Sequence, residues 1–234
     1  MLKSVDSAAM PTYKIHENTR IIYEEVFKKN DSLVSITIPD SVIQIGSSAF
    51  DDCDRLVAVT LGANIERIGA YAFNGCSTLE SITLPDSIKY IGGYAFADCQ
   101  NITELTLPKS LEHIGSEAFL RCSGIKDVII PDSTVRINSF AFHYCNIKNL
   151  YIPDTDITID NQVFNHCSIE NATVPANLIW ILQAQDVQTL TIKGGNEITA
   201  DNFGEFSEWW SKLTTINISD TIYSSQKRLS QAYN

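Results

Sequence analysis

The sequence predicts an α/β fold: a right-handed solenoid of about nine coils of 22–23 residues, built from a parallel β-sheet with short helical or 3₁₀ turns. Three observations carry this expectation. Six cysteines recur at a nearly constant interval, a phenylalanine stands three residues before each, and an apolar-x-x-apolar-x-apolar pattern lies between successive copies. Self-similarity at such a period marks units that fold only by stacking on one another.

The cysteines are Cys53, Cys76, Cys99, Cys122, Cys145 and Cys167, spaced by 23, 23, 23, 23 and 22 residues. The phenylalanines are Phe50, Phe73, Phe96, Phe119, Phe142 and Phe164, each preceded by a small residue, from Ala49 to Ala141 and then Val163. The apolar pattern begins at Leu33/Ile36/Ile38 and runs through Leu56/Val59/Leu61, Leu79/Ile82/Leu84, Ile102/Leu105/Leu107, Ile125/Val128/Ile130 and Ile147/Leu150/Ile152 to Ile169/Ala172/Val174. Its last three positions alternate, which is the period of a half-buried strand.

Proline or glycine follows at once, at Pro39, Gly62, Pro85, Pro108, Pro131, Pro153 and Pro175. Proline has no N–H for a ladder, so it ends the strand and opens a corner. A second apolar column, Ile45, Ile68, Ile91, Ile114, Ile137 and Ile159, marks a short extended piece. After it stand Gly46, Gly69, Gly92, Gly115, Asn138 and Asp160, a set that predicts a backbone turning through positive φ. The Ala-Phe-x-x-Cys stretch then reads as a helical or 3₁₀ turn. Small polar residues at Ser41, Asn64, Ser87, Ser110, Ser133, Thr155 and Asn177 are placed to bond the backbone of the next coil.

The ends differ, because an uncovered terminal coil exposes core and strand edge. Residues 1–32 read as an N-terminal cap with a degenerate first coil, in which Phe27 continues the phenylalanine column and Asn30 the cysteine column, largely buried. Residues 33–175 hold the regular repeats. Residues 176–234 read as degenerate coils and a C-terminal cap, with one coil lacking its Phe-x-x-Cys turn. Strands recur there at Val187/Leu190/Ile192 and Leu213/Ile216/Ile218, and a closing helix is expected from Asp201 to Lys212, capped by Asp201.

The composite L-x-x-I-x-L-P-x-S-(I/L)-x-x-I-G-x-x-A-F-x-x-C resembles the BspA-type class of leucine-rich repeats, most clearly in LESITLPDSIKYIGGYAFADC from Leu79 to Cys99. The resemblance covers about residues 33–175. It implies a leucine-rich-repeat solenoid and a non-enzymatic role in protein binding or adhesion. Proteins of this class are known mainly as surface-associated or secreted molecules of anaerobic bacteria and mucosal protozoan parasites, where they contact host matrix or cell-surface proteins. The N-terminal MLKSVDSAAMPTYKIHENTR lacks the apolar core of a secretory signal. An intracellular scaffold for protein–protein contacts, in the cytoplasm, therefore stands as the alternative.

Composition excludes other classes. With 44% hydrophobic and 19% charged residues the chain can bury a core. A net charge of −11 opposes binding to nucleic-acid phosphates or anionic lipid, since both need cationic contacts. No stretch approaches 18 consecutive apolar residues, so no membrane insertion is expected. No phosphate loop, H-E-x-x-H or G-x-S-x-G motif occurs, and His16, His113, His143 and His166 share no short motif with a nucleophile. His143 and His166 fall in different columns of the repeat. No enzyme activity, cofactor or metal is expected. The cysteine spacing does not cluster ligands for a metal, and stacked side chains point alike, so the six thiols are expected free and buried. Four N-glycosylation sequons, at Asn30, Asn101, Asn171 and Asn217, are weak signs in a chain rich in Asn, Ser and Thr.

The residue between each pair of strand apolars faces outward. That row reads Thr37, Thr60, Thr83, Thr106, Ile129, Tyr151, Thr173, Thr191, Asn217. A threonine ladder needs no explanation beyond β-propensity. The pair that interrupts it, Ile129 and Tyr151, with Asp127, Asn149 and Glu104 nearby, forms a candidate ligand-contact patch: an apolar anchor rimmed by polar groups. A second row, Tyr71, Tyr94 and Phe140, is expected to pad the corner.

Overall fold

A computed structural model of the chain describes residues 11–182, 186–194 and 212–219. All strand pairs are parallel, and they form two walls of a coil. The front wall comprises a four-stranded sheet, Thr12–Lys14, Ser35–Thr37, Ala58–Thr60 and Ser81–Thr83, and a five-stranded sheet, Asp127–Ile129, Asn146–Tyr151, Ser168–Pro175, Thr189–Lys193 and Thr215–Ile218. The back wall is one seven-stranded sheet of two-residue strands: Ile21–Ile22, Gln44–Ile45, Arg67–Ile68, Tyr90–Ile91, His113–Ile114, Arg136–Ile137 and Thr158–Ile159. Residues 11–30 contribute a strand to each wall, and Phe27 lies under Phe50, so the first coil is structurally complete.

The core is a set of columns. Phe27, Phe50, Phe73, Phe96, Phe119, Phe142 and Phe164 are buried, their rings near-parallel at centroid separations from 4.9 to 5.5 Å. The spacing follows from the sheets: parallel strands lie about 4.8 Å apart, and each phenylalanine occupies the same place in its coil. All six cysteines are free and buried. Each thiol donates to the carbonyl of the phenylalanine one coil earlier, from Cys53 to Phe27 at 3.0 Å through Cys122 to Phe96 at 2.9 Å to Cys167 to Phe142 at 2.9 Å. Cysteine suits this slot because it is small and apolar, yet carries a weak donor for a buried carbonyl. Burial pushes the Cys99, Cys122 and Cys145 thiols up, and that of Cys167 to about 12.

The structure corrects the expected turns. Ala-Phe-x-x-Cys forms no helix; the one 3₁₀ helix among the described residues is Ala176–Leu182, which closes the coil that lacks this motif. The motif is instead a ladder. Tyr94, Phe96 and Asp98 donate their N–H groups to the carbonyls of Ser116, Ala118 and Leu120 in the next coil, at 2.9, 2.8 and 2.8 Å. The intervening N–H groups of Ala97 and Cys99 close four-residue turns onto the Tyr94 and Phe96 carbonyls, each at 3.2 Å. Alternation between neighbour and self requires two left-handed residues per coil, one standing two places before the phenylalanine and the other two places after it. They include Tyr94 (φ 56) and Asp98 (φ 59), and in the next coil Glu117 and Arg121 (both φ 56).

The glycines after the isoleucine column do not have positive φ, contrary to expectation. They are needed for close approach: a Cβ on Gly92 would lie 2.5 Å from the Ala70 backbone nitrogen and 2.6 Å from the Gly69 carbonyl carbon. Asn138 and Asp160 fill the column in later coils, where Arg136 binds both, through Nε to Asn138 Oδ1 and Nη2 to Asp160 Oδ1, each at 2.7 Å. The small polar column also bonds in the opposite sense to that expected: Ser41, Asn64, Ser87 and Ser133 donate to carbonyls of the preceding coil, at 2.7–2.9 Å. Asn30 is half-buried, not largely buried. At the start of the cysteine column its Oδ1 turns to accept the N–H groups of Ser32 and Leu33 at 3.0 Å. The helix expected from Asp201 to Lys212 falls outside the described residues, apart from Lys212 itself.

One strand of the pattern is missing. Residues 102–108 carry Ile102/Leu105/Leu107 as their neighbours carry theirs, yet form no strand, and the front wall divides there. Among the described residues, no backbone hydrogen bond joins 101–107 to either adjacent coil. By the 23-residue repeat Glu104 falls in line with Ser81 and Asp127, so two carboxylates occupy successive places in one outward column. Like charges directly opposite destabilise such pairing.

Candidate contact face

The strand pairs that bear the candidate patch are ordinary parallel ladders, and alternation along them fixes which side chains face outward. Ile129 is the register partner of Tyr151, and Asp127 of Asn149. Ile129 is 61% exposed, more than any other large hydrophobic among the described residues. Its outward direction is enforced by Val128 and Ile130, both in the core. Tyr151 is half-buried, because Lys193, two strands further on, reaches back over its ring with Nζ 5.0 Å from the centroid. A cation over an aromatic face is attracted by the ring quadrupole.

The polar rim is a side-chain ladder. Asn171 Nδ2 donates to Asn149 Oδ1 at 3.0 Å, and Asn149 Nδ2 donates to Asp127 Oδ1 at 2.7 Å. This chain orients the Asp127 carboxylate without neutralising it. Glu104 lies across the break in the front wall, where it lines a cleft of about 540 Å³ with Thr103, Leu105, Asp127, Ile129 and Lys109. The structure thus brings Asp127, Asn149, Ile129 and Tyr151 together on two strands and sets Glu104 at their edge. Sequence reasoning missed Lys193 and Asn171. The signal for Asn171 was present in its 22-residue spacing from Asn149; for Lys193, at the end of an irregular coil, no periodic signal exists.

The threonine row is present: Thr37, Thr60, Thr83 and Thr106 are exposed, and Thr173 and Thr191 half-buried. The corner row is a stack at its first two members only, with Tyr71 exposed and Phe140 packed on His143 instead. Tyr71 and Tyr94 lie ring on ring at 4.7 Å, and the Tyr94 hydroxyl donates to Glu117, an attachment that raises its pKa to about 12.

His143 and His166, one and two residues past their phenylalanines, fall in different columns, as expected; the shorter 22-residue coil sets His166 on Tyr144 at 5.0 Å and leaves it 5.4 Å from His143. His143 also lies against Tyr144 at 4.2 Å and Phe140 at 5.0 Å. Its Nε2 is buried with no hydrogen-bond partner. Burial holds its pKa below the ordinary value, and the neighbouring His166 pushes the same way. Among the described residues, no three His, Cys, Asp or Glu side chains are grouped to hold a metal, and no helix is long and apolar enough to cross a membrane.

The likeness to known proteins follows the repeat. No curated protein matches the chain in sequence. Among solved structures, a leucine-rich cell surface protein from Faecalibacterium prausnitzii superposes with a TM-score of 0.62 at 18% identity, over 91% of this chain and 88% of that one. A leucine-rich repeat protein from Bacteroides ovatus matches at 20% identity and a TM-score of 0.44, over 90% and 70% of the two chains. The pneumococcal vaccine antigen PcpA matches at 17% and 0.44, over 87% and 70%. The first of these supports the solenoid fold. The profile of the BspA type leucine-rich repeat region matches six copies over residues 6–126 and 112–229, and the chain belongs to that family.

Proposed function

We propose that this chain is a non-enzymatic binding scaffold whose front wall contacts a partner protein, and that it acts at a cell surface or after secretion. The observation that carries the reading is the exposed Ile129 beside Tyr151 on a face otherwise lined by threonine and asparagine. An apolar pair rimmed by Asp127, Asn149 and Glu104 gives a partner area to desolvate and polar groups to fix its orientation. The surface location is supported by the resemblance of the family and by the cell-surface description of the Faecalibacterium protein. Six unpaired thiols also suit a reducing compartment and support the intracellular alternative.

Two measurements test this. Antibody staining of intact against permeabilised source cells reports location: signal only after permeabilisation overturns the surface reading. Crosslinked partners of the native protein are then compared with those of the Ile129→Thr/Tyr151→Thr variant. The variant is expected to fold and to lose roughly 1–4 kcal/mol of affinity for an authentic partner. Unaltered affinity removes this patch from consideration.

A further inference from the structure

One corner of the coil differs from the rest. Each front strand of the regular repeats ends on an inward apolar residue followed by proline, except in the second copy, where Gly62 takes the place of proline. The apolar residue is buried in the neighbouring copies, at 1% exposure for Ile38 and 6% for Leu84, whereas Leu61 is half-buried. Leu61 lines a hollow of about 570 Å³ over the first three coils of the front wall, beside Pro39 and Gly62. Volumes of this order are those of small-molecule sites. On the strands the hollow is lined by Ser35, Thr37 and Thr60, with Thr37 in register between Lys14 and Thr60. Among the described residues these three hydroxyls have no hydrogen-bond partner. At the rim the Asp40 carboxylate is oriented, because its Oδ1 accepts the Ala63 N–H at 2.7 Å. Lys14 and Glu17 also line the hollow. Among the described residues, no exposed large hydrophobic side chain does.

We propose that this hollow binds a neutral oligosaccharide. A hydroxyl both donates and accepts, so the Ser35, Thr37 and Thr60 hydroxyls can pair with sugar hydroxyls in either sense. They stand on paired strands, which fixes their backbone positions before a ligand arrives. Asp40 keeps Oδ2 for the ligand, and a carboxylate accepts stronger hydrogen bonds than a neutral oxygen does. Leu61 and Pro39 supply apolar surface for the C–H face of a sugar ring. Two other ligand classes fit less well. A phosphate or sulfate would meet one ammonium, Lys14, against the carboxylates of Glu17 and Asp40, on a chain of net charge −11. A protein partner would find no large apolar anchor here. The hollow lies on the four-stranded sheet, whereas Ile129 and Tyr151 lie on the five-stranded one. It is thus a second binding function, independent of the protein-contact reading above.

The test applies the full chain to a printed array of neutral, sialylated and sulfated oligosaccharides, and measures the hits by isothermal titration. Neutral members are expected to bind and acidic ones to bind more weakly. Asp40→Asn keeps the acceptor for the Ala63 N–H and is expected to weaken binding roughly tenfold. Thr37→Val/Thr60→Val keeps the shape and β-propensity of both side chains and is expected to weaken it several-fold. Thermal melts of both variants are expected to match the parent, which separates lost binding from lost folding. Ile129→Thr/Tyr151→Thr is expected to leave sugar binding unchanged. No binding on the array, or binding confined to acidic members, overturns the proposal. Neutral-sugar binding that survives both the Asp40 and the threonine changes overturns this hollow as the site. Either failure leaves the protein-contact reading standing, because that reading is judged by loss of the native partner in the Ile129→Thr/Tyr151→Thr variant.

Discussion

The back and front walls are built from the same coils and obey different rules. Seven two-residue strands run unbroken along the back, and from Gly46 to Gly115 the glycines that follow them lie too close to the preceding coil to admit a Cβ without a shift. The front has longer strands and mostly smaller outward side chains, serine and threonine against Gln44, Arg67, Tyr90 and Arg136 at the back, yet it divides at residues 103–107. Length of strand does not decide continuity here. The two walls also differ in what aligns across the coil boundary: Gly46, Gly69, Gly92 and Gly115 lie against the preceding backbone in the first back coils, whereas Glu104 falls in line with Asp127 at the front. The phenylalanine and cysteine columns hold the stack in register on either side of the break, which leaves the outward positions of the front wall free to vary.

The comparison breaks most severely at a column. Phe96→Ala leaves a cavity between two stacked rings and is expected to destabilise the fold by about 3–5 kcal/mol in denaturant unfolding. At the back wall, Gly92→Ala forces a Cβ into the Gly69–Ala70 backbone and is expected to cost about 1–3 kcal/mol. A value near zero would mean that the glycine column does not hold the back coils together.

A subtler effect lies at the aromatic corner. Folded His143 takes up a proton less readily than it does in the unfolded chain, because burial and His166 both disfavour its charge. Unfolding therefore binds a proton as pH falls below about 6.5, and the stability this group contributes is present above that pH and lost beneath it. His143→Phe is expected to flatten this part of the stability profile between pH 7 and 5, measured by thermal melts. An unchanged slope would remove His143 as its source. Smallest is Gln162→Gly. Gln162 is exposed at φ 64, and relieving its left-handed strain is expected to add up to about 1 kcal/mol.

The columns were legible because each is one residue type at one spacing, and stacking makes like meet like. Phe50, Cys53 and Ile45 declare their places without any knowledge of neighbours. The turns were misread because Ala-Phe-x-x-Cys puts apolar residues three apart, the spacing of a helix face, while the backbone alternates left- and right-handed to reach the next coil. Glycine was misjudged for a related reason: its value at Gly92 lies in the space it leaves for another coil, which no reading of one coil reveals. The front-wall break has the same origin. Ile102/Leu105/Leu107 reads as a strand, and only Glu104 aligned with Asp127 across 23 residues shows the conflict. Within the contact face, Ile129, Tyr151 and Asp127 followed from strand alternation, whereas Lys193 over Tyr151 depends on a side chain crossing two strands.

The most direct test of the difference between the walls is amide hydrogen exchange within a single coil of the free protein. At the back, the Glu112, His113 and Gly115 amides donate to Lys89 and Ile91 carbonyls at 2.8–3.0 Å. At the front of the same region, the amides of Thr103 to Leu107 have no partner in either adjacent coil. The front amides are expected to exchange roughly a hundredfold or more faster than the back ones, with Val57–Thr60 as slow as the back. Equal protection across Thr103–Leu107 and Glu112–Gly115 would contradict a front wall that is open at this coil.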